Sequence, residues 1–283
     1  MSDKTNIGYC DTTVNPTSGC DGCELFKPGS TDNPTCYAKG IHENRLAKSY
    51  PKMYAEKFNE VRMIPGRILK VAKASDMAGK TREGKPWLDG MRRVIFVGDM
   101  TDIFSKAVTF EYLRDEVFAP MVGDSPGFRH WWIVLTKRPA RMAEFSRWLL
   151  DEGANMEICS WPHNCIAMTS ITSQRTADAR IPELLNVEAE CLGLSIEPMK
   201  EPITFLKWLA DGRGKLRWAI PGGESGPNRI DCGAVAIRNT AMQFRDAGVP
   251  VFVKQDSAPS DGQRGRLDWD TWSLKQMPER WRV

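Results

Sequence analysis

From Arg93 onward the chain repeats one pattern: a short apolar or β-branched run, a polar ending, then an amphipathic stretch at helical spacing. The runs are Val94 to Val97, Trp131 to Leu135, Ile166 to Met168, Cys191 to Leu194, Trp218 to Ile220 and Val251 to Val253. Helical periodicity fills Phe110 to Val122, Ala140 to Leu150, Arg175 to Leu185, Pro202 to Leu209 and Ala234 to Ala247. Adding a first strand near Thr12 to Val14 gives about seven strands. Nearly continuous apolar strands joined by helices imply parallel pairing with both faces covered. An α/β fold is expected, a partial or near-complete (β/α) barrel of about six to seven parallel strands. An open doubly wound sheet is disfavoured, because the first βα connection lacks Gly-x-Gly-x-x-Gly. With 283 residues the chain can bury such a core as a single domain over 1–283.

In such a barrel the residues that follow each strand collect at one rim, where active sites are built. Here they are Gly98-Asp99-Met100-Thr101-Asp102, Thr136-Lys137-Arg138, Thr169-Ser170, Ser195-Ile196-Glu197, Gly222-Gly223-Glu224 and Lys254-Gln255-Asp256. A Glu following an apolar strand, as Glu197 does two residues after Ser195, points into the barrel mouth and needs a ligand or partner there. Thr136, Lys137 and Arg138 suit a carboxylate or phosphate, with a solvated rim as the competing reading. Asp102 also reads as a helix N-cap, and Gly222-Gly223 as a tight turn.

A second signal precedes the repeats. Cys20, Cys23 and Cys36 lie in a loop, 15–38, otherwise made of turn residues. Thiolates are soft ligands, and three of them suit an iron-sulfur cluster with one open position. Zinc completed by Cys10 or His42 is the alternative, and a disulfide a third. Cys165 and Cys191 sit in strand-like runs and read as small core residues, while His42, His130 and His163 show no pairing. The opening Met-Ser-Asp-Lys-Thr-Asn resembles no leader, and no apolar run approaches bilayer length, so a cytoplasmic location without membrane contact is expected. A net charge of +3 permits nucleic-acid binding without arguing for it.

Helical spacing resumes over Tyr37 to Val61, with Pro51 as a break, and a short helix is expected around Arg67 to Lys73 before an exposed loop. The C-terminal extension 257–283, with Trp269, Trp272 and Trp281, is expected to cover the barrel bottom or reach a partner.

Several stretches resemble a phage-associated family of radical S-adenosylmethionine (SAM) proteins, distantly similar to the spore photoproduct lyase branch. They are Thr13-Val-Asn-Pro-Thr-Ser-Gly-Cys20, Cys36-Tyr-Ala, Phe96-Val-Gly-Asp-Met-Thr-Asp-Ile-Phe104, Val134-Leu-Thr-Lys-Arg-Pro-Ala-Arg-Met142, Gln174-Arg-Thr-Ala-Asp-Ala-Arg-Ile-Pro182, Ser195-Ile-Glu-Pro198 and Gly222-Gly-Glu-Ser-Gly-Pro227 with Lys254-Gln255. The resemblance implies a barrel of the radical SAM type. Three cysteines, here Cys20, Cys23 and Cys36, would hold a [4Fe-4S] cluster, and SAM would chelate its fourth iron. An external electron donor would drive cleavage to a 5'-deoxyadenosyl radical. The usual spacing is Cys-x3-Cys-x2-Cys, whereas this chain has Cys20-x2-Cys23-x12-Cys36. Cluster geometry constrains sulfur positions and not chain length.

By the same resemblance Gly98, Asp99, Thr101 and Asp102 fall to SAM, with Thr136, Lys137, Ser195, Glu197, Gly223 and Glu224 completing the SAM and substrate surface. Glu197 and Lys254 are the candidate catalytic pair. The implied substrate is a nucleobase, a hypermodified thymine in phage DNA undergoing isomerisation or rearrangement, in a host-cell cytoplasm if the chain is phage-encoded. Arg67, Lys70, Lys73, Arg92, Arg93, Arg264 and Arg266 are candidates for DNA phosphates. A zinc-stabilised nucleic-acid-binding protein without catalysis is the alternative from another class.

Overall fold

In the computed structural model residues 5–29, 36–152, 158–209 and 214–281 are described; part of the cysteine loop, 30–35, lies outside them. The strands among them are β1 (Thr12–Val14), β2 (Thr17–Ser18), β3 (Arg62–Met63), β4 (Val94–Val97), β5 (Trp131–Thr136), β6 (Cys165–Ser170), β7 (Leu192–Met199) and β8 (Leu216–Gly223). Six form one parallel sheet in the order β1-β4-β5-β6-β7-β8, and β2 pairs antiparallel with β3.

The apolar runs are continuous because alternate residues face two cores. Ile95, Val97, Trp132, Val134 and Ala167 pack toward the helices. Phe96, Ile133, Ile166, Met168 and Trp218 fill the other side. On that side the Tyr9 ring lies 5.9 Å from Phe96 of β4 and 5.8 Å from Trp218 of β8. A flat sheet would separate β4 from β8 by four strand spacings, about 19 Å. The sheet is therefore strongly bent, with Tyr9 filling its hollow.

Helices Pro139–Glu152, Gln174–Leu184 and Ala234–Asp246 carry the crossovers. The second opens with a Ser173/Thr176 capping box. Residues 37–49 are helical, with a π-helical turn at His42–Leu46; the helix stops before Pro51, and the helical spacing beyond it, to Val61, forms turns instead of a second helix. The helix at Arg67–Ala72 also forms. The stretch expected to be helical from Pro202 is so only at Leu206–Leu209. The amides of Thr204 and Phe205 are instead taken by the side chains of Gln174 and Gln243, at 2.9 and 2.7 Å.

The seventh run, Val251 to Val253, follows β8 through one parallel bridge, with Phe252 N donating to Ala219 O at 2.9 Å. Its outer edge is taken by the tail: Val253 N donates to Leu274 O and Gln276 N to Val251 O, at 2.8 and 2.9 Å. The tail also covers the amino-terminal end of the sheet, where Trp281, buried, stacks on Trp131 at 5.6 Å. Among the described residues no helix is long and apolar enough to cross a membrane.

Candidate functional site

A cavity of about 530 Å3 opens at the carboxyl ends of the strands. From β4 on, the strand ends supply its wall: Gly98 to Asp102 after β4, then Thr136 and Lys137, Ser170, Ser195 and Glu197, Glu224, and Lys254. Cys20, Cys23 and Cys36 line the same cavity. All the candidate site residues reach it except Gly223, where a Cβ would come within 2.4 Å of both Ser257 N and Ser257 Oγ. That glycine permits a close backbone crossing below the rim.

The cysteine wall is built by backbone. Cys20 N donates to Phe58 O at 2.8 Å, and Gly19, at φ +79°, lies so close to the 58–60 backbone that a Cβ would meet Glu60 O at 2.5 Å. Cys23 and Phe26 exchange backbone hydrogen bonds of 2.7 and 3.1 Å, and Leu25 N donates to Cys23 Sγ at 3.4 Å. Cys36 stands at the N-terminus of the helical segment 37–49, where the amides of Ala38 and Lys39 favour a thiolate. Phe26, Ala38 and Phe58 form an apolar backing against which Cys20, Cys36 and Met100 pack.

Burial, with the Asp102 charge beside it, pushes the Cys20 thiol up to about 12; burial also raises Cys36, against the Lys137 charge. A charge on Cys23 would raise both further. Among the described residues, however, no three His, Cys, Asp or Glu side chains gather tightly enough to hold one metal ion. Cys10 is buried in the core on the Tyr9 side of the sheet, and His42 Nε2 is 2.7 Å from Ala55 O; neither turns toward the thiols.

Beside the cysteines, Asn15 Nδ2 donates to Asp99 Oδ1 at 2.7 Å, and Tyr37 OH donates to the Asp99 carbonyl. Burial raises the Asp99 carboxyl, with Asn15 and Thr13 opposing. Asp102 is occupied: it accepts from Phe104 N, Thr136 Oγ1 and Lys137 N at 3.0, 2.7 and 2.9 Å. Thr101 Oγ1 is likewise spent, donating to Gly19 O at 2.6 Å. Lys254 forms an ion pair with Glu197 and a second with Asp261 at 3.2 Å. Burial alone lowers the Lys254 ammonium, but the two carboxylates more than reverse this, and its pKa is raised. Glu224 accepts Ile230 N at 2.8 Å.

Sequence reasoning missed the contacts that fasten the cysteine loop from outside. Arg138 pairs with Asp21 and donates to Gly22 O at 2.6 Å. Glu24 pairs with Arg180 at 2.5 Å. Although burial pushes the Glu24 carboxyl up, Arg180 brings it down to about 2. Asn15 and Asp261 were also missed; a polar residue directly after β1 was the available signal for the first.

The basic candidates do not share one face. Arg92 and Arg93 precede β4, at the end of the sheet away from the cavity, where Arg93 Nε donates to Ser75 O at 2.8 Å. Arg67 donates to Asn15 O at 3.3 Å, and Arg266 is held between Asp231 and Asp256. His130 is buried with Nε2 3.0 Å from Ala72 O, and His163 packs edge-on against Phe128.

A family model described as a protein of unknown function, DUF5131, matches residues 4–271. No curated protein and no solved structure matches the chain. The chain belongs to the DUF5131 family.

Proposed function

We propose that this chain is a radical SAM enzyme, with its bent parallel sheet as the partial (β/α) barrel of that class. The observation that carries the reading is that Cys20, Cys23 and Cys36 line the same cavity as the polar rim of the sheet. The donor set fits a [4Fe-4S] cluster. Partial burial favours the neutral thiol at Cys20 and Cys36, a cost that a bound metal offsets, and among the described residues no three such side chains gather to hold a single ion. A cluster sets its ligands farther apart than a single ion does, because they bind different irons. When bound, the cluster and SAM together supply an adenosyl radical, once an external donor provides the electron.

The chain's own residues bind and orient. Asp99, fixed by Asn15, faces the cavity as an acceptor for the SAM ammonium. The Thr136 hydroxyl is spent on Asp102, which leaves the Lys137 ammonium for the SAM carboxylate. Lys254 stays protonated between Glu197 and Asp261, so it donates to a substrate oxygen and Glu197 fixes its position. Phe26, Ala38 and Phe58 exclude water behind the cysteines.

The substrate we propose, following the sequence resemblance, is a modified nucleobase, a hypermodified thymine undergoing isomerisation or rearrangement. The test is anaerobic incubation of reduced, reconstituted protein with SAM. Formation of 5'-deoxyadenosine, changed in rate by duplex DNA or nucleoside, is expected. A colourless protein that holds one zinc and leaves SAM intact contradicts the reading.

A further inference from the structure

The two halves of the cysteine wall are held very differently. Cys36 heads a helix and Cys20 is fixed by Phe58, but Cys23 sits beyond Gly22, at φ +103°, and thirteen residues before Cys36. A short ligand motif keeps its sulfurs together by chain length alone; this one does not. Its own restraint is a small turn, Cys23 to Phe26.

Side chains from three distant segments close on that turn. Arg180, on the helix Gln174–Leu184, grips Glu24 with two nitrogens, Nη2 to Oε2 at 2.5 Å and Nη1 to Oε1 at 3.0 Å. It also donates to Ser170 O, at the end of β6, at 2.7 Å. Thr172 Oγ1 adds a bond of 3.1 Å to Glu24 Oε1. Arg138 holds Asp21 and Gly22 O, and Asp21 Oδ2 accepts Lys106 N at 2.8 Å. The Arg180–Glu24 pair is mostly buried, 13% and 17% exposed. A two-nitrogen fork of this kind fixes orientation as well as distance.

We infer that Arg180 and Glu24, seconded by Arg138 and Asp21, are positioning residues: they clasp the 21–26 turn to the end of β6 and hold Cys23 in place as the cluster's second ligand. The inference rests on the radical SAM reading for the word cluster, and on the geometry alone for the clasp. Without the fork, the turn pivots at Gly22 and Cys23 leaves the wall. The Cys20-x2-Cys23-x12-Cys36 spacing is workable because long-range ion pairs do what short spacing does elsewhere.

The test compares the full-length wild type with Arg180→Ala, Arg180→Lys and the charge-reversed pair Glu24→Arg/Arg180→Glu. Two quantities are read. The first is hydrogen exchange of the 19–27 amides in metal-free protein. The second is iron and sulfide bound per chain after anaerobic reconstitution, with the electron paramagnetic resonance spectrum of the reduced protein. Arg180→Ala is expected to speed exchange over 19–27 by about tenfold, as loss of a charged hydrogen-bond pair implies. It should also retain less than half of the wild-type iron, with an altered spectrum. The reversed pair should restore both quantities. Arg180→Lys, which keeps the charge and loses the fork, should fall between, and it carries the test alone if Arg180→Ala does not fold. Exchange and iron content equal to wild type in both single variants overturn the clasp. A wild type that binds no iron overturns the radical SAM reading, while the exchange data still decide whether the clasp holds the turn.

Discussion

Asn15 and Asp99 are joined at the cavity edge: Asn15 Nδ2 donates to Asp99 Oδ1 at 2.7 Å, and Asn15 Oδ1 accepts Met100 N at 3.0 Å. One carboxamide just past β1 thus shapes the turn after β4 and keeps the Asp99 carboxylate aimed. In Asn15→Ala the carboxylate loses a donor that opposes its burial, and the turn loses an acceptor. Calorimetric titration with S-adenosylhomocysteine should show roughly tenfold weaker binding, the value of one charged hydrogen bond. Unchanged affinity would remove Asp99 from the SAM surface.

Lys254 is the cation of a three-residue group with Glu197 and Asp261, and its side chain is 13% exposed. Lys254→Ala leaves Glu197 partly buried without its cation, a change expected to cost about 3 kcal/mol and to lower the melting temperature by on the order of 5 °C. The double variant Glu197→Gln/Lys254→Met should recover most of that loss, because the penalty comes from the unpaired charge. Additive losses would show that the two residues act independently.

Gly19 has a positive φ of +79°, and a Cβ there would sit 2.5 Å from Glu60 O and 2.8 Å from Phe58 O. Backbone cannot retreat as a side-chain tip does. Gly19→Ala should cost about 1–3 kcal/mol and displace Cys20. Thermal melting and iron content report the two effects; a variant with both unchanged would mean that the 58–60 backbone yields freely.

Asp256 gives the sign of one acid-sensitive contribution. It is buried, and burial pushes its carboxyl up, but Arg266 and the amides of Ser257 and Arg266 bring it below its ordinary 3.8. The stability it contributes is present above that ordinary value and is lost as pH falls through the lower, folded-state one. Arg266 is half exposed, which screens the pair. Melting temperature measured from neutral pH down to pH 2 should fall less steeply in Asp256→Asn than in wild type. Parallel curves would assign the acid sensitivity elsewhere.

The rim was legible because polar residues follow each apolar run, although β7 and β8 run on past the expected ends, Leu194 and Ile220, to Met199 and Gly223. Asp99, Lys137, Glu197 and Lys254, far apart in sequence, line one cavity. What each side chain does there was not legible: Asp102 looks as available as Asp99, yet it is consumed by Thr136 and Lys137. The Glu24–Arg180 pair leaves no periodic or local trace, since its partners are 156 residues apart. The seventh run reads like the other strands, but its edge is claimed by tail residues whose own pattern is too short to read. Gly222-Gly223 likewise reads as a ligand loop, whereas Gly223 makes room for Ser257.

The central claim is that Cys20, Cys23 and Cys36 share one cluster with an iron open to the cavity. Electron paramagnetic resonance of the anaerobically reconstituted, reduced protein, recorded with and without SAM alongside iron analysis, tests it most directly. The expected result is about four irons per chain and a spectrum that changes when SAM is added, because SAM reaches the open iron. No bound iron, or a cluster spectrum that SAM leaves untouched, would contradict it.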